Sequence, residues 1–314
     1  MKKIIFITVM TALTFVSCQK EDELANNTSS ESSAIDPQTP LDAQPLILSE
    51  NSPNSRNQAP PGTGWTLKAS DEFNDPTYNT NKWTKLTSTT TRDVNGNQNP
   101  DITWWGWLPA QAYQQNGDFV LSSKKASSSR FECAAINSNN KTGLERKYGY
   151  YESSIDIQSP SGGSHTAFWL QGDNQGDTTL DGANGAEIDI FESAWTDNTS
   201  RTTIHIDGYA EPAHESTGGG DSDSWSAPDI DYLYRTYGLD WSKTYLKTYY
   251  NGNLKKTITG TKWIPTVNEY IILSTGASFG TGSPGFSNRA VGSVTYSYVD
   301  WIRVYNKDSD PNYN

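Results

Sequence analysis

An all-β sandwich or barrel is the architecture this 314-residue sequence predicts, and three observations carry the prediction. From Trp65 to Tyr305 short runs alternate apolar with polar residues, broken by clusters of Gly, Asn, Asp and Ser, with no sustained 3.6-residue period. In "LKTYYNGNLKKTIT", Asn251-Gly252 lies between two alternating segments, the strongest short-range hairpin signal. No internal repeat of fixed period is visible, which sets solenoids aside. "YGYYESSIDI" and "RTTIHIDGY" read as further strands.

At the N-terminus Lys2 and Lys3 precede an apolar run from Ile4 to Val16, followed by Ser17 and Cys18. The run falls short of the ~20 residues that span a bilayer, so residues 1–17 read as a secretory signal. With Cys18 at the cleavage point it resembles a bacterial lipoprotein signal, in which that cysteine is acylated. The acids Glu21, Asp22 and Glu23 resemble the surface-export signal of Bacteroidetes lipoproteins. This resemblance implies a lipid-anchored protein on the outer face of the outer membrane; a plain signal peptide with an incidental cysteine is the alternative. Residues 18–62 are rich in Ser, Asn, Pro, Gln and Asp, and read as a disordered tether with a mean reach of roughly 35 Å. Residues 63–307 form the expected domain, about 245 residues, within the range of single all-β units. Residues 308–314 are expected to trail from it as a tail. The second of the two cysteines, Cys133, is then a lone thiol and reads as a small buried hydrophobe.

Composition narrows the partners. A net charge of −12 without any Lys/Arg run excludes nucleic acid as an expected ligand. With 11 Trp and 17 Tyr the chain holds more amphipathic rings than a core demands, and such rings suit sugar faces as well as cores. Three dispersed histidines and no paired-cysteine spacing argue against zinc, so no metal site is expected. No cofactor is required, and the protein is expected to be a monomer.

The stretch "GAEIDIFESAW", residues 185–195, concentrates the chemistry. In an extended strand Glu187 and Asp189 share one face, opposite Ile188 and Ile190, while Glu192 points away from them. A β-bulge repairs this, because two residues then oppose one and the later side chains change face; Phe191 is the expected extra residue. An acid-x-acid-x-x-acid pattern arises by chance about once in every two such chains, so spacing alone decides little. The apolar surroundings decide more, since a central strand has no packing use for three like charges. Paired carboxylates ~5 to 5.5 Å apart are what retaining hydrolysis of a glycosidic bond needs, one ionised to attack and one protonated to donate. Three so close cannot all ionise freely, and one should keep its proton near neutral pH.

"EIDIFE" resembles the E-x-D-x-x-E signature of glycoside hydrolase family 16, the laminarinase, agarase and carrageenase group with a bulged active strand. "DEFN" (71–74), "NKW" (81–83), "YGYYES" (148–153), "AFWL" (167–170) and "DWIRVY" (300–305) follow in the family's order. The resemblance implies a concanavalin-like β-jelly-roll sandwich with a concave substrate cleft. It makes Glu187 the nucleophile, Glu192 the acid/base and Asp189 the carboxyl that tunes their protonation. It also leaves room for a structural calcium, whose ligands the sequence does not locate. One departure is Glu152-Ser153-Ser154, where relatives often carry E-A-R.

The candidate sugar contacts are aromatic. Alternation puts Trp169 on a face with Ala167 and Gln171, where it matches the family's cleft tryptophan. His205 faces the cleft opposite Ile204 and Ile206, as a sugar contact or as a satisfied structural group, whereas His165 and His214 carry no comparable argument. In "TWWGWLP", Trp105 and Trp107 share a face, as a platform for a ring or as cover for a sheet edge. The segment 214–228, dominated by Gly, Ser and Asp, reads as a loop over the cleft. "GSHTAFWLQG" lacks the Trp and Pro of the W-P-A-F-W run common in laminarinases, and "FWLQ" is more similar to agarases, porphyranases and carrageenases. The expected function is therefore an endo-acting retaining hydrolase of an extracellular β-galactan of agar, porphyran or carrageenan type, with endo-β-1,3-glucanase as the alternative. The missing Lys/Arg cluster weighs against a sulfated substrate. A surface glycan-binding protein on the same fold is the competing class, and the intact set of three acids argues against it.

Overall fold

The computed structural model describes residues 59–87, 105–158, 164–178, 181–193, 199–208, 213–218, 223–228, 230, 233–277 and 289–314. The predicted signal, Cys18 and the tether up to residue 58 lie outside the described residues. One sheet holds β1 (Thr66–Asp71), β3 (Trp105–Trp107), β4 (Ala112–Gln115), β5 (Asp118–Ser127), β6 (Arg130–Cys133), β8 (Gly149–Ile157), β14 (Arg235–Trp241), β15 (Tyr245–Tyr250), β16 (Asn253–Thr259) and β18 (Val294–Asn306). The other holds β2 (Thr84–Lys85), β7 (Ala135–Asn137), β9 (Ser164–Gln171), β10 (Glu187–Ser193), β11 (Thr199–Ile206), β12 (Glu215–Ser216), β13 (Ser224–Ser226) and β17 (Tyr270–Ala277). The first runs β16-β15-β14-β8-β18-β5-β6-β3, with β1 on β18 and β4 on β5; the second runs β12-β11-β10-β9-β17-β7-β2, with β13 on β11. Neighbours distant in sequence, such as β8 beside β14 and β18, are the crossovers of a jelly-roll sandwich.

Alternation sends one side of each sheet inward. Ile271, Leu170, Ile188 and Ile204 form a row across four strands of the second sheet, all wholly buried. They pack in one cluster with Tyr151, Ile155, Tyr237, Leu239, Val299 and Ile302 of the first sheet. Each such side chain contributes about 1.5–3 kcal/mol of burial, which offsets the ordering of the strands. The motif residues outside β10 secure this frame. Asp71 of "DEFN" accepts the Trp83 indole N–H of "NKW" at 2.8 Å and the Phe73 amide at 3.1 Å. Asn251 and Gly252 both take positive φ, 48° and 72°, as the two-residue hairpin between β15 and β16 requires.

Cys133 is buried and free, and burial pushes its thiol up to about 12. The last residues are not a trailing tail. Tyr313 is 3% exposed in the main core and donates its hydroxyl to Asp240 Oδ1 at 2.6 Å, which docks the C-terminus on the domain.

Candidate active site

The catalytic-type strand β10 begins at a tight crossing. Gly185 has φ +136°, and a Cβ on Gly172, the residue after β9, would come within 2.7 Å of the Gly185 Cα, so both positions require glycine. Beyond the crossing Glu187, Ile188 and Asp189 pair with Gln171, Leu170 and Trp169 of β9. The register then slips: Phe191 pairs with Phe168 and Glu192 with Ala167, leaving Ile190 unpaired against β9. On the other side Asp189 pairs with Thr203 and Glu192 with Arg201, so Ile190 and Phe191 together oppose Thr202. The bulge expected from the spacing is present, and the residue without a partner on β9 is Ile190 rather than Phe191. Both point into the core, where Phe191 stacks on Tyr237 with centroids 3.8 Å apart. The Thr202 hydroxyl donates to the Ile190 carbonyl at 3.1 Å, satisfying a backbone group at the disrupted ladder.

The bulge yields three parallel rows on the face turned away from the core: Gln171, Glu187, His205; Trp169, Asp189, Thr203; and Ala167, Glu192, Arg201. Glu187 and Asp189 are 9% and 4% exposed, while the Glu192 side chain retains 20%. All three histidines of the chain converge here, which the sequence indicated for His205 alone. His165 Nε2 lies 3.1 Å from Glu192 Oε1, and His205 Nε2 lies 3.4 Å from Asp189 Oδ2. His205 Nδ1 is 3.0 Å from His214 Nε2, the rings stacked at 13°, so one of the two nitrogens donates and the other accepts. His165 and His214 had no sequence signal because only strand register brings them in.

The environments drive the acids apart. Burial, then the charges of Glu192 and Asp223, hold the Asp189 carboxyl well above the usual range. Burial also pushes Glu192 up, but the adjacent His165 imidazole, followed by His205 and Arg201, outweighs it and holds Glu192 below its ordinary value. Behind the row Glu269 is wholly buried; burial, and then the Glu187 charge, raise its carboxyl although it accepts the Ala186 amide at 2.9 Å. That bond fixes the backbone immediately before Glu187.

The predicted aromatic contacts divide. Trp107 is 4% exposed, packs beside Phe131 and Cys133, and donates its indole N–H to the Thr275 carbonyl at 2.9 Å. It has no open ring face and is corrected from sugar contact to packing. Trp169, cross-strand from Asp189, is 8% exposed and donates to Ser274 Oγ at 3.1 Å, so it forms the floor beside the acids rather than a broad platform. Trp105 remains half-buried on Trp107 and lies near His165 across Gly276. Of the loop 214–228, residues 219–222 lie outside the described residues; the described parts pair β12 and β13 with β11. Among the described residues, Glu187, Asp189 and His205 bring one ligand atom each within 4.8 Å of one another, a group that a cation could enter. These belong to the rows set out by the bulge, where an ion would offset the charge of the buried carboxylates.

A two-sheet sandwich that gathers three carboxyls on one face of a bulged strand is a framework suited to polysaccharide hydrolysis. Residues 99–298 match the family described as glycosyl hydrolases family 16, and the chain belongs to that family. It is a glycosidase that cleaves O-glycosyl bonds with retention through double displacement. No curated protein matches the chain. Among solved structures, a family 16 endo-glucanase from Bacteroides ovatus shares 24% identity at a TM-score of 0.57, over 75% of this chain and 99% of that one. The laminarinase catalytic domain from Thermotoga maritima shares 21% at 0.60, over 77% and 98%. The endo-β-1,3-glucanase from Pyrococcus furiosus shares 21% at 0.60, over 77% and 94%. At these identities the likeness is one of fold.

Proposed function

We propose that the chain is an endo-acting hydrolase of a neutral extracellular β-glycan, with Glu187 as nucleophile, Glu192 as acid/base and Asp189 as the neutral carboxyl between them. What carries the proposal is the slip at Ile190, which brings Glu192 onto the face of Glu187 and Asp189. Glu187 attacks the anomeric carbon and forms the glycosyl ester, while the Glu192 proton passes to the departing oxygen. Water then attacks that carbon, giving its proton to Glu192 and releasing Glu187. A neutral Asp189 removes one of three like charges, so its neighbours can differ in protonation as the two steps demand.

A β-glucan is the first substrate proposed, because the structures that share this fold are endo-glucanases and laminarinases by description. An unsulfated β-galactan is the second, favoured by His165 and Thr166 where the laminarinase run has Trp and Pro. Oligosaccharide release from laminarin, mixed-linkage β-glucan, agarose, porphyran and carrageenan tests the order. Cleavage of the glucans is expected; activity confined to the galactans would overturn it. Action at the cell surface is supported by the sequence of residues 1–62. Cys18→Ala should release the protein into the medium, and retention with membranes would count against the anchor.

A further inference from the structure

The proposed function leaves His165 without a role, yet its imidazole lies 3.1 Å from the Glu192 carboxylate. We propose that His165 is a positioning residue for Glu192, which fixes that carboxyl in the row and sets the pH range over which its proton is available. The inference deepens the proposed function and rests on Glu192 being the acid/base.

Three observations support it. His165 lies on the same face of β9 as Ala167, the cross-strand neighbour of Glu192, and reaches the carboxylate diagonally at 3.1 Å. Its cross-strand neighbour on β17 is Gly276, where a Cβ would come within 3.2 Å of His165 Nδ1 and 3.7 Å of the Trp105 ring. The missing side chain makes room for the imidazole beside Glu192, with Trp105 as the near wall. The third observation is the inventory around Glu192: Asp189 on its own strand, His165 from β9, and His205 and Arg201 from β11. Burial alone would raise the Glu192 carboxyl, and His165 leads the groups that oppose it. The consequence is directional. A general acid works only while protonated, so a carboxyl held down loses acid function at lower pH, while remaining available as the base of the second step.

The test compares wild type with His165→Gln, which keeps a donor without a titrating charge, and His165→Leu, which keeps neither. The Glu192 carboxyl is followed by 13C NMR against pH, assigned by its disappearance in Glu192→Gln, together with the alkaline limb of kcat/KM on the polymer cleaved fastest. In His165→Leu both should move to higher pH, and in His165→Gln they should move less in the same direction. A side chain that merely fills space would lower activity equally at every pH. Midpoints and limbs unmoved in the folded variants would overturn the proposal, and His165→Gln decides alone if His165→Leu does not fold. The acid/base assignment fails separately: Glu192→Gln would then retain wild-type turnover, whatever His165 does.

Discussion

Two regions of this sandwich bury carboxyls, and they handle the charge in different ways. On β8 of the first sheet Glu152 is 1% exposed, and its carboxyl accepts the Tyr150 hydroxyl at 3.1 Å. Burial pushes it up to about 8 against that hydrogen bond and the charge of Arg303. Arg303 lies cross-strand from it but gives its guanidinium bonds to Glu72, at 3.0 and 2.7 Å. Burial therefore favours the protonated form of Glu152. On β10 of the second sheet the desolvation is comparable, yet the acids are brought together by a bulge and met by imidazoles, so one is held up and another down. Burial by itself raises a carboxyl; on β10 the neighbours decide which acid rises and which falls.

Substitution should separate the two regions most visibly in activity. Glu187→Gln is expected to lower kcat by about four orders of magnitude or more, and Glu192→Gln by roughly 10²–10⁴ on a substrate with a poor leaving group. Glu152→Gln should leave kcat near wild type, as measured by reducing-sugar release. A large loss there would erase the functional distinction between the two sheets.

A smaller effect separates the regions in stability. Because the folded Glu152 carboxyl is raised to about 8, the folded state holds a proton that the unfolded chain gives up near its ordinary value. That stabilisation is complete below the unfolded value and is lost as pH rises through about 8. Denaturant midpoints should therefore fall less steeply between mildly acidic and alkaline pH in Glu152→Gln than in wild type. Parallel curves would mean that Glu152 is already ionised in the fold.

Much of the frame could be read from residue patterns. The hairpin at Asn251-Gly252 and the alternation of β8, β10 and β11 are local signals, and local physics determines them. The bulge was legible for a different reason: Glu192 is on the wrong face of any regular strand, so the spacing demanded a slip even though its position moved by one residue to Ile190. What escaped the sequence depends on register between distant strands. His165 meets Glu192, and His214 backs His205, only after β9, β10 and β11 are paired. Alternation assigned Trp107 to a face, but not Phe131 and Cys133 packing beside it. Tyr313 looked like part of a polar tail because its partner, Asp240, lies on β14 far back in the chain.

The proposed attack of Glu187 on the sugar, with Glu192 serving it from the same face of β10, can be caught by labelling. A 2-deoxy-2-fluoro glycoside of the cleaved polymer's repeating unit, carrying an activated leaving group, should inactivate the protein and leave its mass increased by one glycosyl unit. Proteolysis and tandem mass spectrometry should then place that unit on Glu187; a label on Glu192 or Asp189, or hydrolysis with inversion and no label, would contradict the account.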